Sequence, residues 1–440
     1  MPPTSSIQFL PNRTRSATRD FGLWGSFLLL LVVTRAHGGP PAPEPALSQD
    51  AYVWQRVWGS ALKEALQEHG SAFTNLLVLK AEVSFKGAHP SLLTVPIDYP
   101  WLAETKRPIG LVIRIGPYPG PFTTNSPATR YLADLAQTVL SEPRSNHINP
   151  AELQLDFDCA ESKLDGYRVC AEAIRRRISP VSLTITALPS WLNQAAFERL
   201  VQATDGYVLQ VHSLEKPSEF NAPFTLCDPA AARRAVERAG KLNVPFRVAL
   251  PTYGYHIAFD NSGRFVGLSA EGPPRNWSAD VRVREVRSDP LAIAELMQFW
   301  STNRPPMMGG IIWYRFPTSD DILNWRWPTL GAMVALRSPH LSVKAESRRV
   351  EAGLVEISLV NNGELDLSSR LAVEVRWSRG DGARLIAADG LHGFEAVDSE
   401  STLRLQNSSR SYRLPAGESQ VIGWLRFNSA REVQVELKTF

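Results

Sequence analysis

Hydrophobic and polar residues alternate strictly over 152–159, which read Glu-Leu-Gln-Leu-Asp-Phe-Asp-Cys. Glu152, Gln154, Asp156 and Asp158 fall on one side of an extended chain, and Leu153, Leu155, Phe157 and Cys159 on the other, which is the period of two of a strand. The alternation recurs along the chain. Val78, Lys80, Glu82 and Ser84 share a face of a strand predicted over 75–85. Arg114 sits near the end of one over 109–116, before a Gly-Pro-Tyr-Pro-Gly-Pro loop. Ser182, Thr184 and Thr186 share a face of 181–188, and Gln210 and His212 a face of 206–213. Further strands are predicted over 51–58, 245–250 and 310–316. Between them the period becomes helical, over 60–68, 129–140, 164–177, 194–202, 229–241 and 290–300. Leu164, Tyr167, Ala171 and Ile174 are spaced for one buried helix face, and Asp228-Pro229 is an N-cap followed by a first-turn proline. Residues 260–276, rich in Gly and Pro, read as an irregular insertion, and a last helical segment starting near Asp320 holds Trp325 and Trp327.

Strands that alternate with helices imply a parallel sheet with right-handed crossovers. About eight units over roughly 280 residues match a (β/α)8 TIM-like barrel, usually ~250 residues long. An open doubly wound sheet would bury both strand faces and read as near-continuous apolar runs. The polar alternation favours a closed barrel with a lined mouth and a helix-packed outer face. From about His340 the texture changes to short alternating runs over 341–345, 355–360, 371–377, 421–427 and 433–437, with turn signals such as Asn361-Asn362-Gly363. That pattern predicts an immunoglobulin-like β-sandwich of ~100 residues. The expected division is an α/β barrel over 50–338 and a β-sandwich accessory domain over 339–440, the latter with no catalytic constellation.

The N-terminus adds a compartment. Arg13, Arg15 and Arg19 precede a short apolar run over 21–33, and small residues follow around Ala36 and Gly38. A membrane span needs ~20 apolar residues, so 1–38 read as a secretory signal peptide or, alternatively, an uncleaved N-terminal anchor. Residues 39–49 form a Pro-rich linker. The expectation is an exported protein, periplasmic or secreted, touching the membrane only through such an anchor. The 440 residues are 44% hydrophobic and 21% charged with a net charge of +3, so composition gives no case for nucleic-acid binding. The three cysteines, Cys159, Cys170 and Cys227, make neither a disulfide framework nor a metal-ligand cluster. Twelve Trp are compatible with sugar-stacking platforms and with core filling.

In a parallel barrel the reactive groups gather at the C-terminal strand ends. Those ends supply Lys80, Glu82, Arg114, Asp156, Asp158, Gln210, His212, Tyr253, Tyr255, Trp313 and Arg315, with Glu161 and Glu215 in the loops just beyond. Two carboxylates two apart on one strand face repel, which raises one pKa and suits a pair in which one carboxyl donates a proton. A structural ion network with Arg114 or Lys80 is the bland counterpart. Metal binding by Asp156, Asp158 and His212 lacks any His-x-His or His-Glu-x-x-His spacing, so no metal or cofactor is expected.

Leu155-Asp156-Phe157-Asp158 on the fourth strand, with Trp313 on the eighth, resembles chitinase-type (family 18) glycoside hydrolases. That family's Asp-x-x-Asp-x-Asp-x-Glu ends in a proton-donating Glu. Here Leu153 stands at the first Asp and Ala160 at the Glu, with Glu161 one residue late. The family's sixth-strand Tyr-Asp is absent as well; Gln210 and His212 stand there. A fuller resemblance covers about 50–330. Gln154-Leu-Asp-Phe-Asp-Cys, Glu161-Ser-Lys-Leu, Thr186-Ala-Leu-Pro-Ser-Trp, Gly206-Tyr-Val-Leu-Gln-Val-His-Ser and Ala249-Leu-Pro-Thr-Tyr-Gly-Tyr are similar to a bacterial family known as domain of unknown function 3142. It implies a bacterial envelope protein with a glycosidase-like barrel.

Three functions stay open. One is an exported glycoside hydrolase, with Asp158 or Glu161 as proton donor, Asp156 tuning it and Glu82 as base or second carboxylate. In it Arg114, Gln210, His212, Tyr253, Tyr255, Trp313 and Arg315 would hold a carbohydrate or cell-envelope polymer. The second is a barrel that binds such a polymer without cleaving it. The third is an envelope interaction protein using the sandwich as a docking module.

Overall fold

The structure, a computed structural model, describes residues 46–87, 89–213, 215–270, 276–378, 382, 384–399, 402–407 and 412–439. The signal peptide or anchor expected over 1–38, and the linker up to residue 45, lie outside the described residues. The elements run in order β1 (Ser48–Val53), α1 (Ser60–His69), β2 (Leu76–Lys86), β3 (His89–Thr94), α2 (Tyr99–Glu104), β4 (Ile109–Ile115) and α3 (Pro127–Ser145). β5 (Glu152–Phe157), α4 (Leu164–Ile178), β6 (Ser182–Ala187), α5 (Ala195–Gln202), β7 (Gly206–Gln210), α6 (Pro229–Ala239) and β8 (Phe246–Pro251) follow. Then come β9 (Gly254–Phe259), β10 (Phe265–Ser269), β11 (Arg282–Arg287), α7 (Pro290–Thr302), β12 (Met308–Tyr314) and α8 (Trp327–Val334).

β1, β12, β8, β7, β6, β5, β4 and β2 form a parallel ring, which the pairing of β1 with β2 closes. This is the eight-stranded barrel expected from the alternation. Its outer layer is apolar: Leu153, Leu155 and Phe157 of β5 are buried, and so is the anticipated face of α4, with Leu164, Tyr167, Ala171 and Ile174. Helix starts follow local chemistry. Ser126 accepts a bond from the Thr129 N–H, Asp228 from Ala230 and Ala231, and Asp289 from Leu291 and Ala292, each with proline in the first turn.

The polar face of β5 runs up the inside of the barrel in layers. At the base, Glu152 and Asp50 of β1 grip Arg247 of β8, each at 2.8 Å. Thr184 adds a hydrogen bond to Glu152 at 3.0 Å, and the Asn75 side chain donates to Asp50 at 2.8 Å. Asp50 is fully buried, and burial pushes its carboxyl above the usual range against the pull of Arg247. In the middle layer Gln154 donates to the Tyr52 hydroxyl at 2.5 Å. At the top Asp156 faces the mouth.

Three local features depart from the sequence reading. β2 has a register shift between Leu79 and Ala81, a bulge that leaves Lys80 out of the alternation. Lys80 therefore turns away from the Glu82 face, donates to the Val95 carbonyl at 3.0 Å and pairs with Glu142 of α3 at 2.7 Å. β3 folds back antiparallel on β2, and all six of its residues are exposed, so it carries no buried face to recognise. Residues 254–287 contain a three-stranded antiparallel sheet, β10-β9-β11, where an irregular insertion was expected from 260. Its central strand is almost wholly buried while neither edge strand has a buried residue, so no single segment shows a buried-exposed alternation.

Eight further strands follow: β13 (Val343–Glu351), β14 (Leu354–Asn361), β15 (Leu371–Arg376), β16 (Leu385–Gly390), β17 (Phe394–Ser399), β18 (Thr402–Asn407), β19 (Ser419–Phe427) and β20 (Gln434–Thr439). They form two antiparallel sheets, β13-β14-β19-β16 and β17-β18-β15-β20, which share a core including Ile357, Leu359, Val373, Leu405 and Leu425. Arg337 and Glu364 pair at 2.6 Å, and Thr329 of α8 donates to the Glu364 carbonyl at 2.6 Å. These tie the second core to the end of the barrel.

The base network gives the first test. Replacing Arg247 by Met leaves two enclosed carboxylates without their cation, which costs about 3–5 kcal/mol of stability in denaturant unfolding near pH 7. A buried carboxyl with a raised pKa is easiest to enclose when protonated. The deficit therefore shrinks as pH falls through the carboxylate range and widens as it rises.

Candidate active site

Parallel register assembles the site. Glu82 of β2 pairs with Arg114 of β4, and Arg114 with Asp156 of β5. Because successive strands set these residues side by side, a guanidinium stands between two carboxyl-bearing strands. Arg114 Nε lies 4.0 Å from Asp156 Oδ2, and its Nη2 lies 3.9 Å from Asp158 Oδ2. These are ion-pair separations, too long for hydrogen bonds. Asp158 follows the last β5 residue and is more than half exposed (57%).

Asp156 is enclosed except toward the cavity. Burial pushes its carboxyl above the usual range. Arg114 and a 2.8 Å hydrogen bond from Thr186 Oγ1 oppose that rise, and the charges of Asp158 and Glu82 add to it. Glu82 is engaged elsewhere. Arg56 grips it through Nε and Nη2, both at 2.8 Å, and this holds its carboxyl below the usual range.

The mouth encloses a cavity of about 440 Å³. Arg114, Asp156, Asp158 and Thr186 line one side; Gln210, His212, Ser213, Lys216, Tyr253 and Tyr255 line another. Tyr52, Trp54 and Tyr314 complete it as an edge-to-face cluster with ring centroids 5.2–5.8 Å apart. His212 is buried against Tyr314, and burial pushes its imidazole down to about 3, so it stays neutral. Its Nδ1 lies 3.4 Å from the Tyr253 hydroxyl, which reaches the Tyr255 hydroxyl at 3.1 Å; Tyr255 also pairs with Ser213 Oγ. The wall therefore offers neutral hydrogen-bonding groups opposite the charged cluster.

Of the residues chosen from sequence, Asp156, Asp158, Arg114, Gln210, His212, Tyr253 and Tyr255 meet at this one cavity. Four do not line it. Glu82 sits beside Arg114 but is committed to Arg56. Glu161 lies in a short turn before α4, exposed, accepting from Gln194 Nε2 at 3.1 Å. Trp313 is fully buried on the outer face, where its Nε1 donates to Gln49 at 2.8 Å; the eighth-strand aromatic at the mouth is its neighbour Tyr314. Arg315 is buried and bonds Asp321 at 2.9 Å and the Ala270 carbonyl at 2.9 Å. The sequence reading passed over Tyr52, Trp54, Thr186, Ser213, Lys216 and Tyr314. The parity of Asp50 and Tyr52 along β1, continued by Trp54 just beyond it, and of Thr184 and Thr186 along β6, carried the signal for three of them.

Among the described residues no group of three His, Cys, Asp or Glu side chains converges to hold a metal ion. Cys159, Cys170 and Cys227 are buried free thiols, each pushed up to about 12 by burial.

A closed parallel (β/α)8 ring with polar side chains gathered around one mouth makes this chain a TIM-like barrel protein. Within that class, residues 105–319 match the family described as Domain of unknown function (DUF3142), as the five motifs implied. Residues 344–428 match another, Domain of unknown function (DUF8456). Among solved structures the chain is similar to the spore cortex-lytic enzyme SleL of Bacillus cereus, at 14% identity over 66% of this chain and 74% of that one with a TM-score of 0.47. It is similar to SleL of Bacillus megaterium, at 12% identity over 68% and 76% with a TM-score of 0.49. A chitinase from Chromobacterium violaceum gives 14% identity over 66% and 98% with a TM-score of 0.46. At these identities the likeness concerns the path of the chain and not its site residues. No curated protein matches the chain.

The cluster's electrostatics are measurable. Carbon-detected NMR titration should place the Asp156 midpoint above the ordinary carboxylate range. Arg114→Gln removes a favourable charge and moves it further up; Asp158→Asn removes a repulsive one and moves it down. A midpoint insensitive to both would show that Arg114 and Asp158 do not act on Asp156.

Proposed function

We propose that the barrel mouth binds a glycan and hydrolyses a glycosidic bond in it, with Asp156 as the proton donor and Asp158 as its carboxylate partner. One observation carries this reading: two carboxyls of a single strand end meet one cavity in unlike surroundings. Asp156 is enclosed by protein, and burial favours its protonated form; Asp158 stands largely in water beside Arg114. Paired carboxyls in contrasting environments are what glycosidic cleavage employs, one giving a proton to the departing oxygen while the other supports the opposite half of the reaction. In this scheme the Asp156 proton passes to the leaving-group oxygen as the C–O bond breaks. Water adds to the anomeric carbon, and its proton passes to Asp158. Thr186 and Arg114 orient Asp156, and Gln210, Ser213 and Tyr255 present hydrogen-bonding groups to sugar hydroxyls.

This assignment exchanges the roles anticipated from sequence, where Asp158 or Glu161 was the donor. Glu161 does not line the cavity and accepts from Gln194 instead, and Ala160 carries no acid. That same pair of facts favours a second reading, a glycan-binding barrel without turnover. We further propose that the protein is exported, periplasmic or secreted, and meets a carbohydrate or cell-envelope polymer there. The basic and apolar N-terminal pattern over 13–33 supports export. Among the described residues no helix is long and apolar enough to cross a membrane.

The test compares wild type with Asp156→Asn, Asp158→Asn and Glu161→Gln on a panel of bacterial and plant glycans, recording released reducing ends and binding. Loss of a general acid should lower release by about 10²–10⁴-fold in Asp156→Asn while binding persists. Glu161→Gln should keep full activity. Release abolished by Glu161→Gln and spared by Asp156→Asn would overturn the assignment. Binding without release by the wild type would leave the non-catalytic barrel.

A further inference from the structure

The charged side of the cavity holds more unsatisfied donors than acceptors. Arg114 is partly exposed (38%) and donates no hydrogen bond among the described residues; its nearest acids, Asp156 and Asp158, stand at 4.0 and 3.9 Å. A guanidinium has five N–H donors in a planar fork that matches a carboxylate. Here the fork is aimed by two flanking acids without being consumed by them. Lys216, on the loop after β7, lines the same cavity. Its ammonium lies 5.7 Å from the Phe265 ring centroid and has no carboxylate within ion-pair reach among the described residues. The cations at the cavity are thus Arg114 and Lys216, and the acids Asp156 and Asp158. Asp156 already accepts a hydrogen bond from Thr186 Oγ1, whereas Arg114 donates none and Lys216 meets no carboxylate among the described residues, so the charged groups of the lining left to engage a ligand include both cations. The remaining wall, built from Gln210, His212, Ser213 and tyrosine hydroxyls, is neutral.

We infer that the mouth selects an acidic glycan, one whose sugars carry carboxylate groups, with Lys216 and the open fork of Arg114 as the groups that read the acid. The inference rests on the glycan reading above and narrows it to a substrate class. A carboxylate matches the planar fork of Arg114 and supplies Lys216 with a counter-charge. A phosphate monoester would bring a second negative charge against Asp158, and a neutral sugar would leave Lys216 without a counter-charge and the Arg114 fork without a charged acceptor. Lys216 is exposed, lies on the loop after β7 and is not among the groups that act on Asp156, so it acts on specificity while leaving the proton donor untouched.

The experiment uses the full chain and two matched probes, an oligogalacturonate tetramer and the same tetramer with its carboxyls reduced to neutral alcohols, with cello-oligosaccharides and chito-oligosaccharides as a neutral panel. Binding is measured by calorimetry at low and high salt. A charge-assisted contact is worth about tenfold in affinity or more. The uronate tetramer should therefore bind at least about tenfold more tightly than its reduced form at low salt, with the gap closing as salt rises. Lys216→Gln, an exposed substitution that should leave folding intact, should remove most of that preference and leave binding of the reduced tetramer unchanged. Arg114→Lys keeps the charge but loses the fork, and should weaken the uronate more than the neutral probe. Equal binding of acidic and reduced tetramers, or a preference that Lys216→Gln does not move, would overturn the acidic-glycan inference while the glycan reading stands. Binding of the neutral panel in preference to the uronate would do the same. Absence of binding to every saccharide by a folded protein would overturn both.

Discussion

Everything at the mouth depends on the register of three neighbouring strands. A parallel ladder fixes which residues stand side by side, and here it sets Glu82, Arg114 and Asp156 in one row. Arg56 then withdraws Glu82 from the cavity, so Arg114 is left to face the two aspartates. Separations of 4.0 and 3.9 Å between the guanidinium and the two carboxyls hold these groups near one another without hydrogen bonds. Charged groups fixed by the backbone, and not by one another, keep their hydrogen-bonding capacity for a ligand.

The two ends of the barrel use the same chemistry in opposite ways. At the base, Arg247 forms short hydrogen bonds with both Asp50 and Glu152, and the charges are spent on closing the barrel. At the mouth, the corresponding charges are held just beyond hydrogen-bonding distance around an open cavity. Both arrangements come from one polar face of β5, whose Glu152, Gln154 and Asp156 mark successive layers. The barrel interior is thus a gradient from saturated to unsaturated polar groups.

The closed barrel was legible because its strands are polar on the inside, and that alternation survives in a single sequence. The helices were legible because their caps and apolar faces agree. The hairpin strand β3 and the sheet of β9, β10 and β11 were not, since exposed edge strands need no apolar face and a central strand buried on both sides loses its period. At the candidate site, Arg114, Asp156 and Gln210, chosen from regular strand stretches, do line the cavity. Errors arose where the period breaks: Lys80 at a bulge, Trp313 chosen over Tyr314 by one position, Glu161 in a turn whose direction no periodicity encodes. Tyr52 and Trp54 were missed because the first strand was taken to begin three residues late, beyond the Ser48 and Asp50 that set its phase.

The bulge in β2 carries a consequence for how this barrel can vary. With Lys80 as the odd residue, the strand before it and the strand after it are read in different phases. Taking out that extra residue would leave Ala81 opposite Ile113 and Glu82 opposite Arg114, so the alternation would run on unbroken and the row at the mouth would stay as it is. The loss would fall on the outside of the wall, where Lys80 is buried, donates to the Val95 carbonyl and pairs with Glu142 of α3. The bulge is thus a graft on the outer surface: it adds a cation among the helices without disturbing the phase of the inner face.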